Sequence, residues 1–222
     1  ENARTAVIPV IMVTALSERA DRLKGIEAGA NDFLTKPIDM TEVTLRVGNA
    51  VQSKRLYDSL QAERSRSELL LLNMLPKPIA ERMKRGERDI AETHPEVTVL
   101  FADLVGSSTL CSILGAEQLV GLLNQLFSAF DLLVSRHGLE KIKTSGDQYL
   151  AVAGIPYARK DHADAAAALA LDFQKALSEF DNEFATSLRL RIGLASGDVV
   201  AGVIGRRKFA YDIWGDTVNV AR

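Results

Sequence analysis

Cysteine is almost absent from this chain. A single Cys111 among 222 residues excludes an internal disulfide and fits a reducing compartment; in its apolar helical surroundings it reads as a small core hydrophobe. Charge of one sign is also missing. Twenty-seven Lys+Arg against 29 Asp+Glu leave a net charge of -2, which excludes a broad electrostatic grip on nucleic acid or an anionic membrane, so any anionic ligand must be held locally. Long hydrophobic runs are lacking too: "VTVLFA" and "AAAALALDF" fall far short of the roughly 20 residues a membrane span needs. No signal-peptide pattern opens the chain. These absences predict a soluble, cytoplasmic protein with no nucleic-acid partner and no stable membrane insertion. Core material, by contrast, is ample at 47% hydrophobic residues, enough for one large domain or two smaller ones.

Near the start, "AVIPVIMVTA" is an apolar strand pattern, Ser17 is placed to cap a helix through "ERADRLKGIEAGA", and "DFLTK" is a second short strand. Strand, helix and strand with an all-apolar first strand predict a piece of a parallel α/β sheet. From Met40 to about Met74 there is no internal proline, and Val43, Val47, Val51, Leu56 and Leu60 recur near helical spacing, which predicts one long helix. The polar stretch "QAERSRSE" interrupts that seam, so parallel pairing with a second helix and packing on its own domain both remain open. Pro76 and Pro78 end the helix, and "IAERMKRGE" forms a short one closing on Gly86.

A second unit begins at about Glu96. "EVTVLFADL" reads as a buried strand, "GAEQLVGLLNQLFSAFDLLVSRHG" as a helix stopped at Gly138, and "LEKIKT" with "DQYLAVAG" as a hairpin. Asp161 caps "HADAAAALALDFQKALSEF"; "SLRLRIGLASG", "DVVAGVIG" and "KFAYDI" are three further strands, and a last helix starts near Asp216. The order β-α-β-β-α-β with extra strands predicts an α+β, ferredoxin-like sandwich with helices over one face of a mostly antiparallel sheet.

Asp103 ends a strand that is apolar on both faces, where an unpaired carboxylate is costly and calls for a cation. Next comes "LVGSS", a small-residue turn into a helix, whose free N–H groups and dipole favour phosphate. The hairpin supplies a second acid, Asp147, which this strand order can bring beside Asp103. Two carboxylates without His or Cys suit Mg²⁺ and nucleotide phosphates rather than zinc. Taken singly, either aspartate reads equally well as a turn residue or helix cap.

The blocks "VTVLFADLVGSS", "KIKTSGDQYLAVAG", "RIGLASGDVVAGVIG" and "YDIWGDTVNVAR" resemble, in order and spacing, a class III nucleotidyl cyclase catalytic domain over about 125 residues. The resemblance implies that Asp103 and Asp147, with the Leu104 carbonyl, hold two Mg²⁺ or Mn²⁺ ions and that Gly106, Ser107 and Ser108 bind phosphates. It implies attack of the ribose 3′-oxygen on the α-phosphate with pyrophosphate leaving, one metal lowering the pKa of the attacking hydroxyl and the other steadying the leaving oxygens. Lys143 and Asp212 then read the purine, as a donor and acceptor matched to adenine where guanylate cyclases typically carry Glu and Cys, so ATP is the implied substrate. Asn219 positions the ribose and transition state. The family's transition-state arginine, four residues after that asparagine, falls one position past Arg222; Arg222 itself is expected to face elsewhere on the helix. The metal aspartates of one subunit face the purine readers of another, so a homodimer is implied. A cyclic-GMP-forming enzyme of the same fold and a non-catalytic nucleotide-binding dimerisation module are the rivals. Diguanylate synthesis is not, because "TSGDQ" is no GGDEF-type turn.

"IPVIMVTA" followed by "GIEAGANDFLTKPI" resembles the second half of a response-regulator receiver. This implies Thr14 as the switch hydroxyl, Lys36 as the lysine that contacts a phosphoryl group, and an upstream histidine kinase as a partner. The phosphorylated aspartate of that family would lie before Glu1, and neither Asp21 nor Asp32 is placed to substitute for it. The expected organisation is a partial receiver over 1–45, a helical dimerisation and signalling linker over 46–92, and a cyclase domain, C-terminally incomplete, over 93–222.

Overall fold

The computed structural model describes residues 5, 7–15, 19–184, 188–205 and 207–222, without the side chains of 19–22, 108 and 182–183. The expected cap at Ser17 lies outside the described residues. The chain forms two compact units, Glu1–Leu71 and Leu72–Arg222.

In the first unit, strand β1 (Ile11–Thr14) and strand β2 (Asp32–Thr35) pair in parallel around helix α1 (Arg19–Glu27), as the apolar pattern predicts. Met12 and Val13 remain well exposed, because a strand apolar on both faces has only one neighbouring strand here among the described residues. Helix α2 (Met40–Leu72) is continuous. The Asp39 carboxylate accepts from the Thr41 N–H at 2.8 Å, satisfying one orphan donor at its start. None of its 33 residues is buried, and Leu45, Leu56, Leu60 and Leu69 stand exposed.

The second unit opens with helix α3 (Lys77–Lys84), entered at Pro76 and anchored by buried Leu75, Ile79 and Ala80. Five antiparallel strands follow: β3 (Ala91–Val105), β4 (Glu140–Ser145), β5 (Gln148–Ala153), β6 (Arg189–Ile204) and β7 (Ala210–Trp214). Their order across the sheet is β4-β5-β3-β6-β7, which is the ferredoxin-like arrangement with β7 added at one edge. Two expectations change. Strand β3 starts at Ala91 rather than near Glu96, since Pro95, which has no ladder N–H, is accommodated by an irregularity between His94 and Val97. The segments "SLRLRIGLASG" and "DVVAGVIG" are one strand, not two, because Gly197 pairs with Val97 instead of breaking the ladder.

Helix α4 (Ser107–Leu114), helix α5 (Ala116–His137) and helix α6 (His162–Phe184) complete the β-α-β-β-α-β succession. Asp161 begins α6 as expected, its carbonyl accepting from Ala165; its carboxylate, however, is gripped by Arg159 at 2.8 and 2.9 Å, which holds it down to about 2. Phe130 of α5 stacks on Phe173 of α6 at 3.9 Å between centroids, and the buried Tyr149 ring meets both edge-on. The Tyr149 hydroxyl donates to Asp131, and burial pushes its pKa well up. Helix α5 is long and apolar enough to cross a membrane, a length the sequence reading did not credit; here its Leu126, Phe127, Phe130 and Val134 are buried in the core. Because the sheet curls, its outer strands β4 and β7 approach each other. That closure places the candidate side chains.

Candidate active site

Alternation along β3 decides which way Asp103 points. Leu100, Ala102 and Leu104 are buried in the core with α5 and α6, so Phe101, Asp103 and Val105 lie on the opposite face. Asp103 is opposite Gln148 on β5 and Arg191 on β6, and the next residue, Leu104, donates its N–H to the Asp147 carbonyl at 3.2 Å. The strand order therefore brings the two predicted carboxylates to one corner of the sheet. Gly106 starts α4 with φ +104°, a conformation few side chains tolerate. It turns the chain so that buried Ser107 donates its hydroxyl to the Asp147 carboxylate. That hydroxyl is committed to orienting an acid, so a phosphate held at this turn would meet the backbone N–H groups of the α4 start instead. The Ser108 side chain is outside the described set.

Among the described residues, no three His, Cys, Asp or Glu gather into a metal cluster. The corner instead offers two carboxylates and backbone carbonyls, a hard-oxygen set that fits Mg²⁺ or Mn²⁺ and not zinc. Arg191, which the sequence reading did not single out, stands 4.0 Å from Asp103 and is 73% exposed, so it supplies positive charge beside the acids without sealing them off. Only the register of β3 on β6 reveals it.

The other predicted residues meet elsewhere. Lys143 on β4 and Asp212 on β7, 69 residues apart, form an ion pair where the curled sheet brings its edges together. They line a cavity of about 230 Å³ with Asn219, Phe101, Leu150 and Trp214. Asp103 and Asp147 do not line it. Lys143 and Asp147, four residues apart in sequence, thus serve two different corners. Arg222 also lines this cavity, contrary to its expected orientation: it follows Asn219 of helix α7 (Asp216–Ala221) by three residues, and residues so spaced share one side of a helix.

Small residues on β6 let α7 reach the cavity. A Cβ on Gly193 would lie 1.9 Å from the Ala221 carbonyl oxygen, and one on Gly197 would lie 2.5 Å from the Thr217 hydroxyl, which donates to the Asp198 carbonyl at 2.8 Å. Gly193→Ala must lift α7 and with it Asn219. Overpacking of this kind costs about 1–3 kcal/mol, so the expected result is a thermal midpoint lower by roughly 2–10 °C and weakened nucleotide binding; an unchanged midpoint in calorimetry would contradict the close packing.

In the first unit, Thr14 and Lys36 stand together at the strand ends, where the Lys36 N–H donates to the Thr14 carbonyl at 2.9 Å. Asp32 is tied to Arg46, which lowers its pKa.

Residues 90–222 match the family described as the adenylate and guanylate cyclase catalytic domain, and residues 2–48 match the response regulator receiver domain. An adenylate cyclase of Mycobacterium tuberculosis strain ATCC 25618 / H37Rv is 52% identical over 163 residues, which are 73% of this chain and 37% of that protein. The chain thus spans little more than a third of the curated relatives it matches first. Among solved structures, the catalytic core of a rhodopsin-guanylyl cyclase with converted specificity, in complex with ATPαS, matches with a TM-score of 0.56 and 39% identity, covering 59% of this chain and 71% of that one. The adenylyl cyclase CyaB from P. aeruginosa matches with a TM-score of 0.56 and 26% identity over 60% of this chain and 71% of its own. The chain belongs to the adenylate and guanylate cyclase catalytic domain family, and the segment that matches the response regulator receiver domain precedes the cyclase fold.

Proposed function

We propose that this chain is the catalytic part of an adenylate cyclase that converts ATP to 3′,5′-cyclic AMP and pyrophosphate at a homodimer interface. The observation that carries the reading is the meeting of Lys143 with Asp212 in a cavity that also holds Asn219. An ammonium donor beside a carboxylate acceptor complements adenine's ring nitrogen and 6-amino group, and would face guanine with two mismatches. Asn219, carried in by α7, orients the ribose so that its 3′-oxygen forms the new bond to the α-phosphorus while the bond to pyrophosphate breaks and the hydroxyl proton departs.

At the other corner, Asp103, Asp147 and the Leu104 carbonyl would hold two Mg²⁺ or Mn²⁺ ions, whose charge favours the alkoxide and the departing phosphates. Ser107 keeps the Asp147 carboxylate aimed, and the α4 N-terminus with Arg191 receives phosphate oxygens. Since the two groups of residues occupy separate corners of one protomer, a complete site takes the acids of one subunit and the purine readers of its partner. The unburied α2 is suited to pair with a second copy and hold that geometry, and the receiver part, with Thr14 and Lys36 at its strand ends, would bias it under an upstream histidine kinase.

The test is to incubate the dimeric parent protein with ATP or GTP and Mg²⁺ or Mn²⁺ and identify the cyclic product. Cyclic AMP is expected from ATP, absent with Asp103→Ala and altered by phosphorylation of the parent. Cyclic GMP as the main product, or nucleotide binding without turnover, would replace this reading by one of its rivals.

A further inference from the structure

A second cavity lies behind the purine pair. It measures about 370 Å³ and is lined by Leu72–Pro76, the last residue of α2 and the four that follow it, together with Asp131 of α5, Glu140, Lys141 and Ile142 of β4, and Tyr211 of β7. The same two strands line both cavities. On β4, Glu140–Ile142 face this one and Lys143 the other; on β7, Tyr211 faces this one and Asp212 the other.

Glu140 is the unusual member. It is half-buried, and among the described residues its carboxylate has no hydrogen-bond or ion-pair partner. Its neighbours are already engaged. Lys141 is held by Asp131 at 2.7 and 2.9 Å, and Asp131 also accepts from the Tyr149 hydroxyl. Glu92 of β3, which with Glu140 acts on Tyr211, is bound by Arg82 of α3. The Tyr211 hydroxyl stays protonated, its pKa raised first by burial. Leu72–Pro76 brings apolar side chains and Asn73, and no charge. Among the described residues lining this cavity, no unengaged cation is left for Glu140.

We propose that Glu140 is a proton-operated latch: neutral, it lets Leu72–Pro76 seat against β4 and β7, and ionised, it draws water into the cavity and loosens that seat, shifting the strand pair that carries Lys143 and Asp212. The geometry is consistent with the electrostatics, since burial pushes the Glu140 carboxyl up to about 7. The folded-state value lies above the ordinary 4.5, so the folded state gains from protonation: the gain is complete below about 4.5 and is lost as pH rises through about 7. The consequence for nucleotide rests on Lys143 and Asp212 being the purine pair; the latch itself does not.

The test compares wild type, Glu140→Gln and Glu140→Asp between pH 6 and 8. Trp214, the chain's one tryptophan, lines the purine-side cavity and reports on it by fluorescence. Wild type is expected to show an emission transition centred near 7, faster amide exchange across 72–76 at pH 8 after correction for intrinsic rates, and a thermal midpoint that falls by about 3–6 °C more than that of Glu140→Gln. Glu140→Gln should lack the transition and Glu140→Asp should retain one. All three proteins keep His94, His137 and His162, so any contribution of the histidines is common to them. A transition that persists in Glu140→Gln, or none in wild type, overturns the latch. A transition in wild type without ATP affinity at any pH supports the latch and overturns the purine reading.

Discussion

Dimeric parent protein carrying Asp147→Ala is expected to form cyclic AMP on the order of a thousandfold more slowly than wild type. A bound metal contributes several kcal/mol of charge stabilisation, and each ~1.4 kcal/mol is a factor of ten in rate. Lys143→Ala should likewise be crippled, by loss of base recognition. Mixing the two is the informative experiment. Within one protomer, Lys143 lines the cavity with Asp212 and Asn219, while Asp147 sits with Ser107 and Leu104 at a corner that this cavity does not include. If each site draws its acids from one subunit and its purine readers from the other, a heterodimer of the two variants has one site with both defects and one with neither. Random reassociation of equal amounts makes about half the dimers mixed, so activity should recover to about a quarter of wild type. Recovery no greater than the sum of the separate variants would show that the sites are not shared.

Exchanging both purine readers, Lys143→Glu with Asp212→Cys, is expected to move the GTP-to-ATP ratio of kcat/KM by at least about a hundredfold, since a site that hydrogen-bonds a base edge rejects the mismatched base strongly. The ion pair makes the order of substitution matter. Lys143→Glu alone sets two carboxylates face to face across β4 and β7 and should depress use of both nucleotides; Asp212→Cys should then relieve the repulsion. Strict additivity of the two changes, or an unchanged nucleotide preference in the double variant, would remove Lys143 and Asp212 from the recognition site.

Much of this was legible in the amino-acid order. Turn chemistry and periodicity placed the β4–β5 hairpin, the long proline-free α2 and the amphipathic α5 and α6, because those features depend on neighbours within one or two turns of chain. That a strand end and a hairpin turn each carry an acid, the first of them just before a glycine-led helix start, was legible for the same reason. Features that depend on distant partners were not. That β6 runs unbroken through Gly197 follows from its pairing with β3 and from α7 lying against it. Arg191 became visible only through the register that sets it across from Asp103.

By itself, the sequence determined which groups are available: two carboxylates suited to a hard cation, a small-residue turn into a helix, an ammonium donor and a carboxylate acceptor, and too little net charge for binding by field alone. Tertiary structure decided which of these meet. Lys143 and Asp212 are 69 residues apart and on opposite edges of the sheet, and they pair only because the twist accumulated over five strands curls those edges together. The same curl separates Lys143 from Asp147, its near neighbour in the chain, and puts Glu140 in the cavity behind, where Lys141 is already held by Asp131. Local propensity acts over a few residues, whereas sheet curvature sums over the whole domain, and the sites lie where that sum closes.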